Sequence, residues 1–265
     1  MKLGVIGCGK MGSALVEGII KANLCSADDV IVFDAYPKAA ESLRTSLGVT
    51  VASSNADVVA TSEVTLLCVK PQGLGEMLKE IGESENRLLI SIAAGVKISA
   101  IEAGVKHRHR IIRVMPNTPS LIAKGASAFA LGSSATDSDA AITESLLSAV
   151  GYTCRVEESH LNAVTALSGS GPAYIFLMIE ALIAGGIEHG LKADIARDLA
   201  LHTVSGAAEL VIKTGEDPAL LRENVTSPNG TTFAALESLR PEDFEGTIKR
   251  AIAAAADRSR ELGSS

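Results

Sequence analysis

The sequence contains no tryptophan, and aromatic residues make up only 3% of its 265 positions. Hydrophobic residues nevertheless account for 47%, which excludes global disorder. The core must therefore be filled by alanine, valine, isoleucine and leucine, a composition that suits parallel strands covered by closely packed helices. The length allows one large or two modest domains, each with its own core.

Cysteine is also scarce, and no two cysteines form a CxxC pair. This spacing argues against a zinc ribbon, a thioredoxin-like motif or a disulfide framework, and we predict no metal site. A strand pattern starts almost at the N-terminus, without a signal-peptide layout. We therefore expect a cytoplasmic protein with reduced thiols. The four cysteines are Cys8, Cys25, Cys68 and Cys154.

Acidic residues outnumber basic residues, and the formal net charge is −7. Neither nucleic acid nor an anionic membrane is therefore an expected partner. One basic run, residues 106–110, is interpreted as a solvated loop or helix end, with a weak anion or nucleic-acid patch as the alternative. The longest apolar stretch, Ala173 to Ile187, is short for a bilayer crossing. We predict that it forms a buried helix.

The first half of the chain alternates short apolar runs with amphipathic segments. This rhythm predicts an α/β fold, a Rossmann-like doubly wound sheet that is mainly parallel with helices on both faces. Strands are predicted at Lys2–Ile6, Val30–Phe33, Val64–Val69, Leu88–Ile92, Ile111–Met115, Ser127–Leu131 and Thr153–Val156, and helices at residues 10–23 and at Pro37–Leu47.

The second half contains helical patterns alone, so we divide the chain into domains 1–158 and 159–265. Helices are predicted at Ala173–His189, Asp194–Lys213, Pro218–Asn224, Thr231–Leu239 and Pro241–Leu262. The first of these is apolar on nearly every side and must be covered all round. We expect a partner subunit to supply that cover.

The first strand runs directly into a glycine-rich turn, GCGKMG, that precedes a helix. In this context GxGxxG predicts a dinucleotide site: Gly7 for the tight turn, Gly9 for close approach of the pyrophosphate, and Gly12 for helix–strand contact. Lys10 and Met11 lie between these glycines, where free N–H groups at the helix start attract phosphate. An accidental glycine turn is the alternative.

An acid, Asp34, ends the second strand about twenty residues after the glycines, where a carboxylate can bind the ribose hydroxyls of NADH. A helix cap or turn residue is the alternative, and nearby Lys38 keeps NADPH open. Two further strand ends are predicted to line the cofactor groove: Val69, Lys70 and Pro71, and the small residues Ala93, Ala94 and Gly95. A surface lysine and simple tight packing are the respective alternatives.

Several longer motifs resemble those of the pyrroline-5-carboxylate reductase family. GCGKMG, VKP, SIAAG, MPNTP, SGSGPAY and VTSPNGTT occur in that family's order, and the match covers nearly the whole chain. The resemblance implies NADPH- or NADH-dependent reduction of 1-pyrroline-5-carboxylate to L-proline, the last step of proline biosynthesis. It also implies a Rossmann domain followed by an all-helical dimerisation domain, in a homodimer or a larger assembly of dimers.

The resemblance also assigns roles to residues. Asn55 looks like the asparagine that contacts the adenosine half of the cofactor, and Asn224 like a residue on the nicotinamide side. The loop before a late helix would bind the substrate carboxylate, and Thr232 would lie near the ring nitrogen as the catalytic hydroxyl. The expected substrate-binding residues are Ser227, Gly230, Thr231 and Thr232.

One position departs from the family, whose loop usually has glycine where Asn229 stands. Asparagine tolerates a left-handed backbone, so we expect the loop shape to survive. A β-hydroxyacid dehydrogenase is the nearest rival, but Pro172–Glu180 has no lysine of the kind those enzymes use. A non-catalytic dinucleotide sensor is a second rival, against which the intact VTSPNGTT loop argues.

Overall fold

The computed structural model describes residues 1–81 and 86–263, and these contain eight strands in one sheet. The strands are β1 (Leu3–Ile6), β2 (Val30–Phe33), β3 (Thr50–Val51), β4 (Val64–Leu67), β5 (Leu88–Ser91), β6 (Arg110–Met115), β7 (Gly125–Leu131) and β8 (Gly151–Arg155). Their order is β3-β2-β1-β4-β5-β6-β7-β8. The neighbouring pairs are parallel except β6 and β7, which run antiparallel.

Helices follow most of the strands and continue alone after β8, which confirms the predicted α/β class and the all-helical C-terminal part. They are α1 (Lys10–Lys21), α2 (Pro37–Leu47), α3 (Asn55–Thr61), α4 (Pro71–Glu80), α5 (Ile98–Gly104), α6 (Asp137–Ser148), α7 (Leu161–Val164), α8 (Gly171–Glu188), α9 (Ala193–Thr214), α10 (Pro218–Asn224), α11 (Thr231–Leu239) and α12 (Phe244–Leu262).

Both faces of the sheet are packed. In β1, Leu3 and Val5 belong to one hydrophobic cluster and Ile6 to the other, and all three side chains are buried. Because helices cover both faces, the strand reads as a continuous apolar run rather than as an alternating one. The small aliphatic composition is what allows these helices to pack closely.

The strand order reverses between β1 and β4. From β1 the chain builds outward through β2 and β3, and from β4 it builds the other way through β5 and β6. In such sheets the crevice beyond the carboxyl ends of the strands, at this switch point, is where a dinucleotide binds. The residues that follow β1, β2, β4 and β5 are therefore the candidates for dinucleotide binding.

The chain divides into two compact units. Unit 1 comprises residues 1–170 with 254–265, and unit 2 comprises residues 171–253. The predicted domain limit at 158/159 stays a prediction; it lies between β8 and α7, and residues 264–265 of the second predicted domain lie outside the described residues. The helical run that begins at Glu158 packs with unit 1 as far as Ser170, so the change in pattern and the change in packing fall at different residues.

One helix start differs from its prediction. The sequence predicts a helix from Pro241, but α12 begins at Phe244. Asp243 has a left-handed φ of 49°, and its carboxylate accepts a hydrogen bond from the N–H of Gly246 at 3.2 Å. The acid, rather than the proline, therefore caps the helix.

The predicted burial of the apolar helix does not occur within one chain. Residues Glu158–Glu188 form a helical run of 31 residues that is long and apolar enough to cross a membrane by length and composition, and its most apolar window has no buried residue. In α8, Phe176 is 57% and Leu177 68% exposed. A single chain therefore leaves much of the apolar surface of this helix exposed.

Candidate active site

The turn after β1 has the tight geometry that its glycines predict. Gly7 adopts a φ of 100°, and a methyl group added there would lie 2.6 Å from the carbonyl oxygen of Cys68. A methyl group added to Gly12 would collide with the carbonyl oxygen of Gly7. Both positions therefore require glycine, the first for backbone conformation and contact, the second for contact alone.

The middle glycine faces open space. Gly9 is exposed, and a methyl group added there would meet no atom within 4 Å. It immediately precedes α1, whose first turn has no acidic residue and whose first N–H groups have no intrahelical partner. Lys10 is exposed, whereas Met11 is half-buried against the core. This opening fits a pyrophosphate, which such N–H groups and the helix dipole attract.

Asp34 lies beside the glycine turn and already makes two hydrogen bonds. One carboxylate oxygen accepts from the N–H of Cys8 at 2.6 Å, and the other accepts from the N–H of Tyr36 at 2.7 Å. The residue is thus a turn residue, as the alternative interpretation holds. Each carboxylate oxygen has further lone-pair capacity, so ribose binding stays a prediction.

Two thiols flank the same turn. Burial, followed by the nearby Asp34 carboxylate, raises the pKa of the Cys8 thiol to about 12. Burial, followed by Cys8, also raises the pKa of Cys68. Both thiols are therefore protonated at neutral pH and act as small core groups rather than as nucleophiles.

Asn55 is the first residue of α3 and is buried. Its Nδ2 donates to Oε2 of Glu80 at 2.6 Å, while its Oδ1 has no hydrogen-bond partner. An ionised carboxylate can only accept, so Glu80 determines which way the amide points. The pairing with Glu80, at the end of α4, could not be read from the sequence.

The ends of β4 and β5 present small or exposed groups at the crevice. Val69 is half-buried, and Lys70 and Pro71 are exposed at the start of α4. After β5, Ala93 is buried, Ala94 is exposed and Gly95 has a φ of 78°. These predicted residues, the glycine turn, Asp34 and Asn55 all belong to unit 1.

The predicted substrate residues lie together in unit 2, in the segment between α10 and α11. The N–H of Gly230 donates to the carbonyl oxygen of Ser227 at 3.0 Å, which closes a turn. Asn229 adopts a φ of 56°, so the expected left-handed backbone is confirmed. Thr231 is exposed and Thr232 half-buried in the first turn of α11. Exposed Asn224 ends α10.

Asn117, in the MPNTP motif, links two separate segments through its side-chain amide. The Oδ1 of Asn117 accepts from the N–H of Ala126 at 2.8 Å, and its Nδ2 donates to the carbonyl oxygen of Ser168 at 3.0 Å. The buried amide thus ties β7 to the SGSG segment, where Thr165–Gly169 forms a π-helical turn. Such turns are frequent near functional sites.

Among residues 1–81 and 86–263, no three His, Cys, Asp or Glu side chains lie together in a way that could hold a metal ion. The candidate residues of unit 1 instead offer backbone N–H groups and small side chains, and those of unit 2 offer hydroxyls and backbone N–H groups. These are groups that bind phosphate, carboxylate and ribose.

Comparisons with known proteins match both halves of the chain. A family model described as "Pyrroline-5-carboxylate reductase dimerisation" matches residues 158–262. A second, described as "NADP oxidoreductase coenzyme F420-dependent", matches residues 2–95.

Relatives match over the full length. A pyrroline-5-carboxylate reductase from Arabidopsis thaliana is 41% identical over 100% of this chain and 96% of its own. One from Methanosarcina acetivorans is 40% identical over 99% and 98% of the two chains.

Solved structures agree with these relatives. A pyrroline-5-carboxylate reductase from Coxiella burnetii superposes with a TM-score of 0.93 at 34% identity, over 98% of both chains. A pyrroline carboxylate reductase from Plasmodium falciparum with NADP bound has a TM-score of 0.87 at 32% identity, over 99% of this chain and 98% of the other.

Proposed function

The chain belongs to the pyrroline-5-carboxylate reductase family, and from that premise we propose how its own residues carry out the reaction. It is an NAD(P)H-dependent oxidoreductase that reduces 1-pyrroline-5-carboxylate to L-proline, the last step of proline biosynthesis. The observation that carries this function is identity of about 40% to reductases across the whole chain, so that both the cofactor turn and the substrate loop are included.

We assign the cofactor to unit 1. Gly7, Gly9 and Gly12, with Lys10 and Met11, hold the pyrophosphate, because the open face of Gly9 and the free N–H groups of α1 fit it. By strand order, the β2 side takes the adenosine half and the β4–β5 side takes the nicotinamide half. The proposed adenosine residues are Asp34 and Asn55, and the proposed nicotinamide-side residues of unit 1 are Val69, Lys70, Pro71, Ala93, Ala94 and Gly95. The family resemblance adds one residue of unit 2, Asn224 at the end of α10, to the nicotinamide side.

We assign the substrate carboxylate to the loop before α11. Its Ser227 and Thr231 hydroxyls and the N–H groups at the helix start are donors for an anion, and Gly230 keeps the approach free of a side chain. The Asn229 backbone preserves the turn that brings these donors together. Thr232, half-buried one residue into the helix, supplies the remaining hydroxyl.

The reaction requires little acid–base catalysis from the protein. When bound, the reduced nicotinamide supplies hydride to the imine carbon. The chain anchors the carboxylate, aligns the ring and excludes water. The Thr232 hydroxyl hydrogen-bonds the ring nitrogen and relays a proton there. A protonated imine is already electrophilic, which agrees with the absence of His and Cys from VTSPNGTT.

We propose that two chains form a homodimer through α8, with larger assemblies built from such dimers. The exposed apolar side chains of α8 include Ile175, Phe176 and Leu177, and a contiguous apolar surface of this kind marks an interface. The family model for this region is described as a dimerisation region. Within this proposal, residues 1–158 form the cofactor domain and 159–265 the dimerisation and substrate domain.

We place the protein in the cytoplasm, where its cysteines, all free in the structure, stay reduced. Neither nucleic acid nor membrane is a proposed partner, because the net charge is −7 and the apolar surface of α8 is assigned to the second chain.

The direct test is a parallel assay of 1-pyrroline-5-carboxylate reduction with NADH and with NADPH. Wild-type protein should oxidise at least one of them in proportion to L-proline formed. An Asp34→Ser variant should shift the kcat/KM ratio toward NADPH by about tenfold, because a carboxylate repels the 2′-phosphate. An unshifted ratio would leave Asp34 with its turn role alone.

A further inference from the structure

The segment after β5 is contacted from outside at its bend and at the end that enters α5. We call residues 92–98 the cofactor loop. It leaves β5 with the N–H of Ile92 bonded to the carbonyl oxygen of Leu67 at 3.1 Å, turns at Gly95 and enters α5 at Ile98. Among the crevice segments, it lies on the nicotinamide half by strand order.

The first anchor is polar. Oε1 of Glu158 accepts a hydrogen bond from the N–H of Ile98 at 2.7 Å and another from Nη1 of Arg113 at 3.0 Å. The Arg113 side chain is only 7% exposed, whereas that of Glu158 is 34% exposed. Arg113 lies in β6, directly opposite Ser91 in β5. One carboxylate oxygen therefore fixes the end of the cofactor loop to the strand beside it.

The second anchor is largely apolar and comes from the end of α12. A methyl group added to Gly95 would lie 3.5 Å from Cβ of Leu262, so this leucine packs over the bend of the loop. The helix end is itself held, because Oγ of buried Ser259 donates to Oδ1 of Asn162 at 2.8 Å. The bend of the loop is therefore in van der Waals contact with the end of α12.

We propose that Glu158 and Leu262 are positioning residues that hold the cofactor loop in place for the nicotinamide half of NAD(P)H, an inference that rests on the proposed function. Glu158 is the first residue of the helical run Glu158–Glu188, and Leu262 is the last residue of α12. These two helices are the chain connections between unit 1 and unit 2. Both connections thus end on the same loop.

The test measures the Kd of each variant for two ligands, NAD(P)H and ADP-ribose. ADP-ribose, with a 2′-phosphate if the wild type prefers NADPH, contains the adenosine and pyrophosphate but no nicotinamide. The Glu158→Ala variant should raise the Kd for NAD(P)H about tenfold, as expected for loss of a hydrogen bond to a charged group. The Leu262→Gly variant, which removes the Cβ that faces Gly95, should raise it about threefold, and in both the Kd for ADP-ribose should stay unchanged.

Two matched variants sharpen the result. Glu158→Gln keeps an acceptor for the N–H of Ile98 but loses the charge that Arg113 faces, so its Kd for NAD(P)H should fall between those of wild type and Glu158→Ala. Arg155→Gln breaks the exposed ion pair with Asp137 in the same unit and should change neither Kd.

The outcomes separate positioning from general damage. Equal weakening of both ligands, or weakening of neither, would overturn the proposal. If Glu158→Ala fails to fold, Leu262→Gly still tests the proposal, because Leu262 is 56% exposed at the end of the last helix and its loss should not prevent folding. Failure of the wild type to reduce 1-pyrroline-5-carboxylate would instead count against the proposed function, since the binding comparison needs no turnover.

Discussion

Units 1 and 2 differ sharply in how they bury apolar surface. In unit 1 the sheet carries two hydrophobic clusters, and residues such as Leu3, Leu66 and Ile90 are fully buried. In unit 2 the buried hydrophobic side chains among the described residues are Ala196 and Ala200. Unit 1 therefore has a hydrophobic core of its own, whereas unit 2 leaves most of its apolar surface exposed in the single chain.

The largest expected effect is on assembly. Phe176→Glu would bury a charge in the proposed dimer interface, a cost of several kcal/mol, and should convert the wild-type oligomer to monomers with loss of most activity. Multi-angle light scattering after gel filtration measures this. Ile122→Glu, at a 74% exposed apolar residue of unit 1, should leave the mass unchanged. A wild-type monomer at micromolar concentration would contradict the contrast between the units.

The second largest effect is expected inside unit 1, at the glycine turn. Gly12→Ala would place a methyl group against the carbonyl oxygen of Gly7, destabilising by about 1–3 kcal/mol and opening the phosphate turn. Nucleotide titration should show at least a tenfold weaker Kd, together with a lower Tm. Gly73→Ala, which meets no atom within 4 Å, is the matched control. Equal behaviour of the two variants would argue against tight helix–strand contact as the reason for glycine.

A smaller effect tests the chemistry assigned to unit 2. Thr232→Ala should lower kcat about tenfold through loss of one hydrogen bond in the transition state, with the Kd for NAD(P)H unchanged. Stopped-flow measurement of hydride transfer isolates the step. Thr214→Ala removes a hydroxyl that bonds only within its own helix end and should have no effect. Unchanged kinetics in Thr232→Ala would remove it from the mechanism.

The smallest effect concerns the thiols of unit 1. At pH 8 a thiol with a pKa of about 12 is ionised in about one molecule in 10,000, so Cys8 should react with iodoacetamide far more slowly than the same residue in guanidinium. Reactivity should rise with pH, because the thiolate forms only as the pH approaches the raised pKa. Peptide mass spectrometry measures the labelling, and rapid labelling at pH 8 would contradict the burial of this turn.

Much of unit 1 could be predicted because its signals are local. Apolar runs of four to six residues identified most strands, and the strand-then-glycine pattern identified the tight turn, since Gly7 is required by its own φ and Gly12 by its contact with Gly7. The two-residue β3 and the antiparallel direction of β7 were not predicted. The first is too short to show a pattern, and the second depends on how the 3₁₀ turn at Thr118–Ile122 redirects the chain.

The amino-acid sequence by itself determined the α/β class, the positions of the helices in unit 2, the glycine turn and the left-handed Asn229, because neighbouring residues decide these through backbone conformation and periodicity. Only the tertiary structure decided the partners of Asn55, Asp34 and Glu158, which bond to residues 25, 26 and 60 positions away. Nothing local specifies which distant donor or acceptor a side chain will meet. That choice is made when strand order and helix packing bring the two together.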